Sequence, residues 1–337
     1  MVKKMKKKII ELPLVAPIYS TYHNQGSASA VISDNLSIRN WYLNEVMILQ
    51  CTREFLSGYT SPKLDIVDSS LDSNPNLEKN WYYLKNLGKY TNPIIRNLID
   101  DGYYIYFYGA DDYYIKGKTW YKDRHFIHDG LICGYNQEEE TFCIYAYDSN
   151  WIYRKFWCPQ KSFTTGVKAA LGQDISSHIC PVKPSQKLIE FDTRLVIKKL
   201  KEYLNPSLDI CPKDEVGTVC GIAVQDYIVM YVNQLYNGKI PYERMDRRIF
   251  RLLWEHKKVM LERLEKMEKD LKLDCKTSTN YRKIVSEADK MRMLYASHHI
   301  RRRDSLLPII CKSLTELSKK EREILEDFLL KAEEKII

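Results

Sequence analysis

Between His128 and Trp151 the sequence sets a histidine and an aspartate at the two ends of what reads as one hairpin, HDGLICGYNQEEETFCIYAYDSNW. Alternating runs of Ile, Leu, Tyr, Phe and Cys flank an acidic loop, the pattern of two antiparallel strands. With Gly134 facing Phe142 across a loop centred on Glu138, counting outward puts His128 opposite Asp148. Both positions are even, so strand alternation sends both side chains to one face. Directly opposed residues have Cβ atoms about 4.5–5.5 Å apart, near enough for a carboxylate to hold an imidazole. Such a pair is two thirds of a nucleophilic triad. The plainer alternative is a hydrogen-bonded strand histidine beside a structural aspartate.

A catalytic thiol or hydroxyl is best placed at a helix amino terminus, where backbone N–H groups stabilise thiolate and oxyanion. The suitable loop-to-helix entry before the hairpin is Asn24-Gln25-Gly26-Ser27-Ala28-Ser29-Ala30, and it contains no cysteine. Cys51, the other upstream thiol, sits in an amphipathic run and reads as a buried structural residue. His125 and His128 are an odd number of residues apart, so a strand points them to opposite faces and they do not share a metal ion. No metal or cofactor is expected. Asp111-Asp112 is either a cation- or amine-binding pair or a solvated turn. Glu138-Glu139-Glu140, Glu255-His256-Lys257-Lys258 and Arg301-Arg302-Arg303 read as solvated loop, salt-bridged helix face and surface cluster.

These residues need a scaffold. Small residues from Ala28 to Ile32 suggest a short helix, and Trp41, Val46, Leu49 and Phe55 give residues 41–57 a helical period. Residues 77–101 read as helix interrupted near Gly88 and Pro93. The β-formers of YYIYFYGADDYYI follow Asp101-Gly102 as a strand. Arg154-Lys155-Phe156-Trp157 is a further strand, and the Pro, Gly and Ser of 158–190 mark a boundary. Beyond it, helical patterns cover 192–204, 216–236, 244–272 and 279–300, and a last helix starts at the capping-box pattern Ser318-Lys319-Lys320-Glu321. The expected organisation is an α+β domain over 1–190 and an all-helical domain over 191–337.

Bulk properties exclude several classes. The chain of 337 residues has no apolar run near the roughly 18 residues that span a bilayer. Its basic start, MVKKMKKKII, lacks the apolar core of about 7–15 residues that a secretory signal needs, so cytoplasmic residence is the expectation. Nine scattered cysteines without a CxxC pair argue against a zinc ribbon or a disulfide framework. The net charge of +8 fits a lysine-rich surface, or a docking face for an acidic partner such as a carrier protein. Nothing matches a helix-turn-helix, RRM or zinc-finger pattern, so a nucleic-acid partner is not expected.

Two stretches carry a resemblance. His128 through Tyr135 followed by Asp148-Ser149-Asn150-Trp151 resembles the histidine half of papain-like cysteine proteases. Asn24 through Ala30 is similar to their helix entry, with Ala28 where the cysteine stands and Gln25 matching the oxyanion glutamine at a shorter spacing. Together with Asp112-Tyr113-Tyr114 and Trp254-Glu255-His256-Lys257, the chain resembles the butirosin-biosynthesis-protein-H-like group of papain-fold proteins. That resemblance implies a papain-like fold with a helical carboxy-terminal extension. It also implies acyl transfer from a carrier-protein thioester, through a cysteine, to a small amine such as a diamine, polyamine or aminoglycoside. His128 is then the base, Asp148 its orienting carboxylate and Gln25 an oxyanion donor, with Ser27, Ser29, Asp112, Tyr113, Tyr114 and Trp151 beside the substrate. Ala28 reads as a replaced cysteine, a natural inactivation, or a sign that Ser27 or Ser29 acts instead. The rivals are a cysteine peptidase or amidase, and a papain-like binding scaffold without turnover.

Overall fold

Alternation sorts the central strands into two apolar faces. Ile105, Phe107, Ile132 and Ile144 pack on one side, and Tyr104, Tyr106, Leu131 and Tyr145 on the other. The computed structural model describes residues 8–31, 36–58, 60–206, 217–274 and 276–336. These strands belong to an antiparallel sheet running Leu77–Lys79, His178–Pro184, Tyr104–Asp111, Ile127–Asn136, Thr141–Tyr147, Tyr153–Pro159. Two short strands extend it, Ile9–Glu11 against Ile127–Asn136 and Tyr82–Tyr83 against His178–Pro184. The helices Thr91–Asp100 and Gln160–Leu171 cover the first face with Ile95, Ile99, Phe163 and Val167. Phe163 meets Phe107 edge-on at 5.1 Å, and full burial of such a ring stabilises by about 1.5–3 kcal/mol. The helix His23–Ala30 packs Ala28 and Ala30 into the cluster on the second face.

A bulge at Gly109 interrupts the ladder between Tyr104–Asp111 and Ile127–Asn136. Gly109 has φ +82°, and a Cβ there would stand 2.8 Å from the Ser177 backbone. The extra residue re-aims the strand end, so that Ala110 rather than Gly109 faces His128 and the carboxylates of Asp111 and Asp112 follow.

The chain divides into two compact units, Met1–Asn35 with Ser70–Lys187, and Leu36–Ser69 with Leu188–Ile337. The chain passes from the first unit to the second after Lys187, and Leu36–Ser69 also belongs to the second unit. The second unit is not wholly helical. Leu49–Thr52 pairs with Thr218–Cys220 and Asp65–Ile66 in a small sheet, accompanied by the helices Leu36–Glu45, Thr193–Leu204, Val224–Tyr236, Ile249–Asp270, Lys276–Arg301 and Leu306–Ile336. The helix expected over 41–57 stops at Glu45 because buried Arg263 donates to the carbonyls of Tyr42, Leu43 and Val46. Asp192 caps the helix after it, accepting from the Leu195 amide at 3.0 Å. Ser318 starts no helix, since Leu306–Ile336 already runs through it.

In the first unit, residues 77–101 hold two short strands before the helix Thr91–Asp100, with Gly88 at φ +51° beside the break. The stretch 158–190, read as a boundary, contributes a helix and an inner strand in which Pro181 faces Ile105. Expectations for the basic start at 1–7, Ile32, Cys211 and Cys275 lie outside the described residues. Among the described residues no helix is long and apolar enough to cross a membrane.

Candidate functional site

His128 and Asp148 do not meet. The hairpin register has Leu131 opposite Tyr145, as the counting requires, but a bulge at Cys133 puts Gly134 opposite Cys143 rather than Phe142. The ladder ends at Leu131, and beyond it His128 pairs with Ala110 on the other neighbour. Asp148 closes the turn after its strand, accepting from the amides of Asn150 at 2.8 Å and Ile152 at 3.0 Å and from Arg154 Nε at 2.5 Å. Its carboxylate is consumed by that turn. Trp151 stands beside it at φ +60°, half-exposed and edge-on to Trp120 at 5.2 Å.

His128 is held by other carboxylates. Its Nδ1 lies 3.3 Å from Asp112 Oδ2, and its Nε2 lies 3.5 Å from Asp129 Oδ1, beyond hydrogen-bond length. Asp112 is fully buried, while the His128 side chain keeps 35% of its surface exposed. His125 pairs instead with Asp111 at 2.7 Å and stacks on Tyr113 at 4.4 Å, so the two histidines are held apart by adjacent carboxylates. Tyr113 and Tyr114 sit on the turn Asp112–Tyr114, their rings edge to face at 5.1 Å.

Sequence reasoning missed four members of this cluster: His23, Tyr106, Lys118 and Asp129. His23 opens the helix His23–Ala30, with its Nδ1 2.7 Å from Asp129 Oδ1 and its ring 4.4 Å from that of His128. The Tyr106 hydroxyl donates to Asp129 Oδ2. Lys118 Nζ, wholly buried, donates to the Asp129 carbonyl at 2.6 Å and lies 3.4 Å from Asp112 Oδ1. The available signal was His23-Asn24 at the helix entry. Asp129 has the opposite strand parity to His128, so alternation alone assigns it to the wrong face.

The tautomer of His23 follows from its partners. The Tyr147 amide donates to Nε2 at 3.1 Å, so Nε2 carries the lone pair and Nδ1–H donates to Asp129. Burial lowers the His23 pKa to about 4, and the Lys118 charge pushes the same way. Burial alone would raise the Asp129 pKa, but His23, His128 and Tyr106 together hold it well below the carboxylate range. Atoms of His23, His128 and Asp129 lie within 4.8 Å of one another, a spacing that a metal could bridge. His23 does not suit that use, because a metal on Nδ1 would force a proton onto Nε2, facing the Tyr147 N–H.

A neutral, buried His23 makes stability depend on pH. The unfolded chain takes up the imidazole proton near pH 6.5, whereas the folded chain resists until about 4. Stability is therefore complete above pH 6.5 and falls as pH drops toward 4, by on the order of 3 kcal/mol. Urea unfolding at pH 7 and pH 4.5 should show a larger loss in the wild type than in His23→Gln. Equal losses would remove His23 as the cause.

The expected nucleophile position does not reach this cluster. Ala28 is fully buried among Leu131, Cys133 and Tyr145, where it seats the helix on the sheet. Ser27 is buried with its Oγ 3.4 Å from the Tyr153 hydroxyl, and Ser29 donates to the Gln25 carbonyl at 2.9 Å. Gln25 is buried in the same helix. Gly26 belongs to this packing, since a Cβ there would stand 2.7 Å from the Tyr153 oxygen. Every described cysteine is buried, and burial raises the thiols of Cys158 and Cys180 to about 12. An Ala28→Cys protein should accordingly stay unlabelled by iodoacetamide under native conditions and label on unfolding. Fast native labelling would return position 28 to the site.

A cavity of about 420 Å³ adjoins the cluster, lined by Asn24, Asp72, Trp81, Tyr83, Tyr106 and Tyr108 among others. Tyr106 belongs to both, with its ring on the cavity and its hydroxyl on Asp129. The arrangement can bind a small molecule and move a proton beside it. No family model matches the chain, and no curated protein matches it either.

Proposed function

We propose that this protein transfers an acyl group to a small amine, with His128 moving the proton and with no acyl-enzyme at position 28. The observation that carries the reading is the setting of His128, a one-third-exposed imidazole whose Nδ1 faces buried Asp112 and whose Nε2 makes no hydrogen bond among the described residues. That is the geometry of a base oriented by a carboxylate. The amine nitrogen attacks the carbonyl carbon of a thioester, forming the C–N bond as the C–S bond breaks. His128 Nε2 takes the proton the amine sheds and returns it to the departing thiolate. Asp112 orients the ring, and Asp129 favours the imidazolium that forms between the two transfers.

A short helix seated on an antiparallel sheet, with a histidine on a neighbouring strand, supports the papain-like resemblance. From that resemblance come the donor, an acyl or peptidyl group on a carrier-protein thioester, and the acceptor, a diamine, polyamine or aminoglycoside. A chain of net charge +8 suits an acidic carrier. The second reading is a papain-like scaffold that binds without turnover, favoured by the burial of Ala28 in the core.

The deciding assay gives the purified protein an acyl thioester with a panel of amines and reads products by mass spectrometry. Amide formation that requires His128 supports transfer. Free acid alone would make the protein a hydrolase, and neither product would leave the binding scaffold.

A further inference from the structure

The cavity beside the cluster has a composition that its neighbours do not require. Its wall is aromatic, formed by Trp81, Tyr83, Tyr106, Tyr108 and the imidazole of His178, and Asp72 is the one carboxylate lining it. Trp81 stands edge-on to Tyr106 and to His178, each at 6.0 Å, and Tyr83 lies 4.4 Å from His178. Trp81 Nε1 donates to Asp72 Oδ1 at 2.9 Å, which fixes the carboxylate against the aromatic wall. Asp72 Oδ2 takes no hydrogen bond among the described residues. Lys79 does not line the cavity; its ammonium is held by the carbonyls of Leu71, Asp72 and Asn74 at 3.0, 2.5 and 2.9 Å and also feels the Asp72 charge, with no ion pair between the two side chains among the described residues. Trp81, Tyr83 and Tyr108 are half-exposed, so large rings are held open to solvent instead of being packed away.

Aromatic faces attract a cation through their quadrupoles, and a fixed carboxylate adds charge and a hydrogen-bond acceptor. A neutral apolar ligand would gain nothing from Asp72, and an anion would be repelled by it. We propose that this cavity binds a small alkylammonium ion, with its N–H groups on Asp72 Oδ2 and its methylenes against Trp81, Tyr83 and Tyr106. The inference rests on the acyl-transfer reading only for the role of the bound amine as acceptor. The binding itself stands apart from turnover. Tyr106 links the two places, since its ring lines the cavity and its hydroxyl holds Asp129 beside His128.

Ligand-observed NMR titration of the full chain with n-butylammonium, and with 1-butanol as the neutral counterpart, tests this directly. Butylammonium should bind at least about tenfold more tightly than butanol. Asp72→Asn should weaken the ammonium by about tenfold while changing butanol little, and Trp81→Leu should weaken both ligands, the ammonium more than butanol. Both substitutions lie at exposed or half-exposed positions, and circular dichroism checks that each variant is folded. Equal affinity for the two ligands, or ammonium binding indifferent to both substitutions, would overturn the proposal. Amide formation without ammonium binding here would sink this inference and spare the acyl-transfer reading. Binding without any turnover would do the reverse.

Discussion

His128→Ala should lower amide formation by about 10²–10⁴-fold, the usual contribution of a positioned acid–base group. Thermal unfolding should change little, because the His128 side chain is one-third exposed and fills no core position. The two readouts together separate proton transfer from scaffolding. Asp112→Asn tests the orienting carboxylate, which stands 3.3 Å from Nδ1 and is fully buried. It keeps the shape and loses the charge, so kcat should fall with KM nearly constant, by less than in His128→Ala. A rate unaffected by His128→Ala would end the proton-transfer reading at once. The residual rate should rise when imidazole is added, as expected when the missing group is a diffusible base.

The largest stability effect is expected in the second unit, where Lys257 and Glu321 form a wholly buried ion pair. Lys257 Nζ lies 2.8 and 2.6 Å from the two Glu321 oxygens and 2.9 Å from the Tyr203 hydroxyl. Tyr281 donates to Glu321 Oε1, and Gln225 Nε2 donates to Oε2 at 2.6 Å. Burial lowers the Lys257 pKa, and Glu321 opposes that shift without cancelling it. Removing only the carboxylate leaves an ammonium and two hydroxyls buried without their acceptor. Glu321→Ala should therefore cost about 3–5 kcal/mol in urea unfolding followed by helical circular dichroism. The double variant Lys257→Met with Glu321→Leu should cost much less than the two single changes summed, since apolar residues of similar volume replace the pair. A loss below about 1 kcal/mol for Glu321→Ala would mean that the cluster is hydrated rather than closed.

Local pattern was enough for much of the scaffold. The alternation in 127–136 and 141–147 was legible as a hairpin, and helical periods located most of the second unit. Elements defined by non-local pairing were not. Leu49–Thr52 looks helical by period, yet it is a strand because its partners lie at 65–66 and 218–220 and because Arg263 ends the preceding helix. His178–Pro184 carries two prolines and looks like a boundary, but it lies inside the sheet between Leu77–Lys79 and Tyr104–Asp111. The same limit governs the site. By itself the sequence determined that His128 stands on a strand of an antiparallel hairpin, because alternation is a property of adjacent residues. Which carboxylate reaches it was decided only by tertiary structure. One-residue bulges at Gly109 and Cys133 shift the registers, a turn captures Asp148, and Asp112, Asp129 and His23 converge from separate elements. Ala28 faces the sheet for the same reason, since which side of a short helix packs inward depends on what it packs against.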